Sequence, residues 1–74
     1  MTVATALAMF LEAVGQGPWT VERTWDICRQ EEPCEHWAEA TMPDLRAKCV
    51  QVQGYTAACW TWGPADTGWR VFFD

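Results

Sequence analysis

Apolar residues recur at intervals of three and four over residues 2–15, which predicts a helix with one apolar side. Thr2 is the predicted N-cap, and Gly15 with the following Gly17-Pro18 ends the helix. We expect the apolar side to pack on a sheet, with Phe10 in the core. The residues on that side are Val3, Leu7, Phe10, Leu11 and Val14.

Residues 19–27 alternate between apolar and polar positions, which favours a strand. A helix is the competing interpretation, because Val21, Trp25 and Cys28 are also spaced for one helix face. In the strand, one side carries the apolar residues, with Arg23 as the exception. These apolar residues are Trp19, Val21, Trp25 and Ile27.

The middle of the chain, residues 31–48, predicts a short helical connection. Pro33 suits the first helical position, and the helix runs through Ala40. Pro43 then ends it, because the residue before a proline avoids the helical region. Residues 44–48 are expected to add one more turn.

The C-terminal third predicts a strand meander. Alternating residues over 50–53, 56–62 and 69–73 predict three strands. Gly54-Tyr55 and residues 63–68 predict the turns between them. Rings lie on both sides of the last two strands, so one side packs in the core. The other side is either covered or exposed as a contact surface.

Together these elements predict an α+β fold. We expect an N-terminal helix packed on a small antiparallel sheet of three or four strands, with the helical connection in the middle. The length of 74 residues fits a single compact domain, residues 1–74, near the lower limit for independent folding. Six tryptophans and an apolar content of 50% supply a dense core.

The charge balance is acidic, with five Lys and Arg against ten Asp and Glu and a net charge of −5. This balance argues against direct binding of nucleic acid and suits a basic partner. The apolar segment 3–14 contains Glu12 and lacks the basic start of a signal peptide; it is also too short to span a membrane. We therefore expect a cytoplasmic monomer without membrane contact.

The four cysteines are Cys28, Cys34, Cys49 and Cys59. An even number permits disulfides, and Cys49 could face Cys59 across a hairpin. Zinc sites usually contain paired ligands two to four residues apart, which this spacing lacks, although Cys34 and His36 could chelate locally. We expect buried, reduced thiols and no metal or other cofactor. A small metal or thiol module is the alternative.

His36 is the only histidine, and no catalytic motif surrounds it. A histidine could activate a cysteine nucleophile, so a small catalytic or ligand-binding domain is a second alternative. A surface residue on the predicted helix is the simpler interpretation. We expect that the protein is not an enzyme.

An acidic segment supplies the candidate partner-binding residues. In the predicted helix, Glu32, Glu35 and Glu39 share one side, where like charges repel one another. Such a cluster is either a solvated surface or an electrostatic contact with a basic partner. The candidate residues are Glu31, Glu32, Glu35, Glu39 and Asp44.

In its whole-chain profile, short, acidic and without an enzyme motif, the chain resembles phage-encoded inhibitors, above all anti-CRISPR proteins directed at type I systems. The resemblance rests on no motif and transfers no residue role. It implies stoichiometric inhibition of a basic nucleic-acid-handling protein or complex, such as a type I CRISPR effector, in a bacterial cytoplasm. Carboxylates would then replace DNA phosphates against Lys and Arg.

Overall fold

The computed structural model describes residues 1–53 and 55–74, and within them it contains one helix and one five-stranded antiparallel sheet. The strands follow one another in chain order, so the predicted α+β fold is confirmed, with five strands in place of three or four. Within the same residues, no helix has the length and apolar character needed to cross a membrane. The elements are α1 (Val3–Val14), β1 (Thr20–Ile27), β2 (Glu35–Met42), β3 (Leu45–Val52), β4 (Ala57–Trp62) and β5 (Arg70–Phe73).

Helix α1 begins and ends where the sequence predicts. The Thr2 hydroxyl accepts a hydrogen bond from the Thr5 N–H at 3.2 Å, which satisfies one of the free donors of the first turn. Gly15 has φ 72° and donates its N–H to the Leu11 carbonyl, which closes the last turn. A side chain at Gly15 would be strained at this φ.

The core lies between α1 and one side of strands β2, β3 and β4, which we name the helix side of the sheet. Phe10 and Leu7 are fully buried there, so the expected place of Phe10 in the core is confirmed. The strands supply mostly small residues, which let the helix lie close to the sheet. Those buried small residues are Ala38, Ala40, Ala47, Cys49, Ala57 and Cys59.

The predicted helical connection over residues 31–48 is wrong. The chain forms β2 where a helix was expected through Ala40, and β3 begins at Leu45 where one helical turn was expected. Period-two alternation explains the result, because Ala38 and Ala40 are both buried under α1 only if they lie on the same side of a strand. In a helix these two residues would point in different directions.

Strand β1 is confirmed, but its apolar residues do not share one side. A bulge between Val21 and Arg23 shifts the register. Val21 therefore pairs with Ala40 on the helix side, whereas Trp25 pairs with Trp37 on the opposite side.

The three C-terminal strands are confirmed with changed limits. The strand predicted at 50–53 starts earlier, as β3, while those at 56–62 and 69–73 match β4 and β5 to within one residue. Gly54 of the predicted Gly54-Tyr55 turn lies outside the described residues. The predicted turn at 63–68 connects β4 to β5.

All four cysteines form disulfides, so the expectation of reduced thiols is wrong. Cys28 is bonded to Cys34 and joins the end of β1 to the start of β2. Cys49 is bonded to Cys59, its direct partner across β3 and β4, and this bond is buried on the helix side. Closing loops of this size stabilises a fold by about 2–3 kcal/mol each in the chain-entropy description.

Candidate functional site: the open face of the sheet

Within residues 1–53 and 55–74, no helix or second sheet covers the side of the sheet opposite α1, and we name this side the open face. Directly paired residues of neighbouring strands share a side, so the strand register identifies its members. Aromatic and charged residues dominate it. The aromatic, charged and central residues of the open face are Arg23, Trp25, Glu35, Trp37, Glu39, Arg46, Lys48, Val50, Ala58, Trp60, Trp62, Arg70 and Phe72, and Thr20, Ile27, Thr41 and Val52 lie on the same side.

Three tryptophans pack against one another on this face. The rings of Trp25 and Trp37 stack with centroids 5.6 Å apart and planes 12° apart. Trp37 also meets Trp60 edge to face, with centroids 6.0 Å apart. Both arrangements are favoured by the ring quadrupole, and they join the three rings into one continuous layer.

Cations lie among these rings. The Arg23 guanidinium is 4.1 Å from the centre of the Trp25 ring. The Lys48 Nζ lies 5.9 Å from the Trp25 ring, 6.0 Å from that of Trp37 and 5.1 Å from that of Trp62. Tryptophan is the best aromatic partner for a cation, so these contacts hold both charges on the face.

Two carboxylates on the open face are already engaged by cations. Glu39 contacts the Arg23 Nε at 3.4 Å and the Lys48 Nζ at 3.8 Å. Glu35 accepts hydrogen bonds from Arg29 at 2.7 Å and from the Trp37 indole N–H at 3.1 Å. The Arg29 hydrogen bond, followed by that of Trp37, lowers the pKa of Glu35 below its ordinary value.

Two arginines of the open face remain available. Arg46 pairs directly with Trp62 across β3 and β4, and Arg70 pairs with Trp60 across β4 and β5. Both arginines are exposed, and neither has an ion-pair partner within residues 1–53 and 55–74. Each is therefore a free guanidinium beside a tryptophan.

The basic residues of the molecule cluster around the open face. All five Lys and Arg lie on the open face or contact it, Arg29 through Glu35. Three carboxylates lie near these cations. Glu35 and Glu39 are on the open face, and Glu22 accepts a hydrogen bond from the Thr41 hydroxyl at 2.6 Å. These eight groups give a net charge of +2, so the other seven carboxylates account for the total of −5. Those seven are Glu12, Asp26, Glu31, Glu32, Asp44, Asp66 and Asp74.

The predicted acidic contact residues do not form one surface. Glu31 and Glu32 are exposed in the connection between β1 and β2, whereas Asp44 is exposed in the turn after β2. A strand of eight residues separates the two sites by about 26 Å. Glu35 and Glu39 lie on the open face, where cations neutralise them.

His36 contacts a carboxylate and not a cysteine. Its Nδ1 lies 2.8 Å from the Asp26 Oδ1, beside an open cavity of about 470 Å³ next to the start of α1. The proposed histidine–cysteine pair is wrong, because every cysteine is in a disulfide. For the same reason no thiolate is available for a zinc site or thiol chemistry. Among residues 1–53 and 55–74, no group of three or more His, Cys, Asp and Glu is placed to hold a metal ion.

Comparisons with known proteins leave the chain without an assigned family. No family model matches it, and neither the curated proteins nor the solved structures include a significant match. The fold and the open face define a disulfide-bonded α+β domain with one aromatic and cationic surface. Its function therefore has to be inferred from its own residues.

Proposed function

We propose that the protein is a non-enzymatic binding protein that holds a macromolecular partner on its open face. The observation that supports this proposal is the concentration of tryptophan and arginine on one uncovered side of the sheet. Tryptophan and arginine are enriched among the few residues that contribute most of the binding energy in protein interfaces. Phe72, an aromatic residue at the edge of the same face, is 64% exposed.

The size of the open face fits an ordinary interface. Five strands spaced by about 4.8 Å, each up to eight residues long, give a face of roughly 20 by 26 Å. Because β4 and β5 are shorter, the planar area is at most about 520 Å², so a standard complex, in which each partner buries roughly 800 Å², would also use the relief of the side chains and the residues around the face. The packed rings and the two disulfides hold the face in one shape, which reduces the entropy lost on binding.

A domain of this kind acts by occupying a surface of its partner. Stoichiometric inhibition is therefore the activity that we assign to it. Disulfides persist in oxidising compartments and are rare in the cytosol. We accordingly place the site of action in an oxidising compartment and not in the cytoplasm.

The test compares two exposed apolar residues on opposite sides of the sheet. Phe72 is 64% exposed on the open face, and Val21 is 61% exposed on the helix side of β1. Wild type, Phe72→Ser and Val21→Ser are immobilised and used to capture partners under oxidising conditions. We expect a partner that wild type and Val21→Ser retain and that Phe72→Ser loses. A partner that all three proteins retain equally would contradict the use of the open face.

Exposed carboxylates in the connection between β1 and β2 support a second candidate function, inhibition of a basic nucleic-acid-handling protein. Glu31 and Glu32 are exposed in the loop that the Cys28–Cys34 disulfide closes, and neither has an ion pair within the described residues. Reversing Glu31 and Glu32 to Lys tests this function, with Glu12→Lys on the helix as the control. Loss of a basic partner from the double variant alone would support it.

A further inference from the structure

We infer that the partner of the open face is an acidic protein surface whose carboxylates bind Arg46 and Arg70. This inference rests on the proposed function and specifies the chemistry of the partner. Both arginines are exposed and lack an ion pair within the described residues, while the neighbouring carboxylates Glu35 and Glu39 are already paired. Arg46 and Arg70 are therefore cations of the face without an ion pair, and the carboxylate of Glu22 accepts a hydrogen bond from Thr41, the cross-strand partner of Arg46.

The two arginines suit carboxylates because of their geometry. A guanidinium donates two parallel hydrogen bonds to a carboxylate, and a lysine ammonium cannot. Trp62 lies directly beside Arg46 and Trp60 directly beside Arg70. Each guanidinium therefore lies next to an aromatic residue that a partner can contact together with it. A partner surface with acidic residues flanked by apolar ones would match both the arginines and the tryptophans beside them.

The net charge of −5 does not oppose such a partner. The molecule is 17 Å thick along its shortest axis and 20 Å along the next. Exposed charges are screened beyond about 8 Å at physiological ionic strength. A partner on the open face therefore responds more to the cations of that face than to carboxylates on the far side of the molecule, such as Glu12 on α1.

Two other occupants fit the open face less well. A second copy of the chain, placed face to face, would bring together two surfaces that each carry a net charge of +2. Single-stranded nucleic acid binds by stacking bases on free ring faces. Here Trp25 has Arg23 and Trp37 against its ring, and Trp37 contacts both Trp25 and Trp60.

The experiment uses poly-L-glutamate as the probe and follows tryptophan fluorescence. Wild type is compared with the double variant Arg46→Gln, Arg70→Gln. The control is Ala4→Glu, Ala13→Glu on exposed positions of α1, which lowers the net charge by the same two units. We expect wild type and control to bind in a salt-sensitive manner, and the arginine variant to bind about tenfold more weakly or worse.

Three results would overturn the inference: equal binding by wild type and the arginine variant, tighter binding of single-stranded oligothymidine than of poly-L-glutamate, or a dimer in light scattering that the arginine substitutions change. Absence of poly-L-glutamate binding by wild type at low salt would also overturn it. Its failure is separable from failure of the proposed function. If capture of the partner depends on Phe72 but not on Arg46 and Arg70, the open face remains the proposed binding surface and the acidic partner is excluded.

Discussion

Trp25 and Trp37 are direct cross-strand partners whose rings stack 5.6 Å apart on the open face. This contact joins β1, an edge strand that α1 does not cover, to the centre of the sheet. The Cys28–Cys34 disulfide closes the same strand pair at its end. Stacking and covalent closure together hold an edge strand that lacks a helix above it.

The stacking contact should be measurable as a coupling energy. We expect a double-mutant cycle of Trp25→Ala and Trp37→Ala to give about 0.5–1.5 kcal/mol in denaturant unfolding. A cycle of Trp37→Ala with Trp69→Ala is the control, because Trp69 is exposed and precedes β5. Its coupling should be near zero. Equal couplings in the two cycles would contradict a specific ring contact.

Phe10 should be a main source of stability. It is fully buried between α1 and the sheet, so Phe10→Ala should lower the free energy of unfolding by about 3–5 kcal/mol. Phe72→Ala, at a 64% exposed position, should have a small effect. Thermal unfolding of the three proteins checks this, and an unchanged melting temperature for Phe10→Ala would remove Phe10 from the core.

The two disulfides predict how many free thiols the protein contains before and after reduction. A thiol reagent in denaturant should find no free cysteine in the untreated protein and four after reduction. Replacing Cys49 and Cys59 by Ala should destabilise the fold by about 2–5 kcal/mol, since this disulfide lies buried beneath α1. Four reactive thiols before reduction would contradict both disulfides.

Asp66 should contribute stability that depends on pH. A hydrogen bond from the Thr61 hydroxyl, followed by one from the Gly68 N–H, lowers the pKa of Asp66 below its ordinary value. Such a carboxylate stabilises the fold above its unfolded pKa of about 3.9, and the contribution is lost as the pH falls through the folded pKa. Asp66→Asn should therefore melt below wild type at neutral pH, with the difference narrowing below about pH 4. Glu12→Gln, at an exposed position of α1, should change the melting temperature little.

The sequence could predict α1, β1 and the last two strands because each has a clear period and turn residues at its ends. The sequence led to the wrong prediction of a helix at β2, because Glu35 and Glu39 share one side in a helix and also in a strand. The decisive signal was the alternation of Ala38 and Ala40 with Trp37 and Glu39. Tertiary packing under α1 then selects the strand.

The open face was predictable only in outline. Rings on both sides of the last strands indicated a second aromatic surface, but the bulge at Val21 and Arg23 decides which side Trp25 joins. Lys48 and Trp60 are neighbours only because of the register between β3 and β4, and the amino-acid sequence alone does not reveal that register. The net charge does not reveal the cluster of basic residues on the open face, because it sums over the whole molecule.

The same bulge has a consequence for solubility. An edge strand with free backbone groups is a template on which another chain can add, and this leads to aggregation. The bulge interrupts the regular edge of β1, and Glu22, Arg23 and Asp26 place charges along it. At the other edge, β5 is only four residues long. Both edges of the sheet therefore discourage further strands, and an open five-stranded sheet can remain a separate molecule.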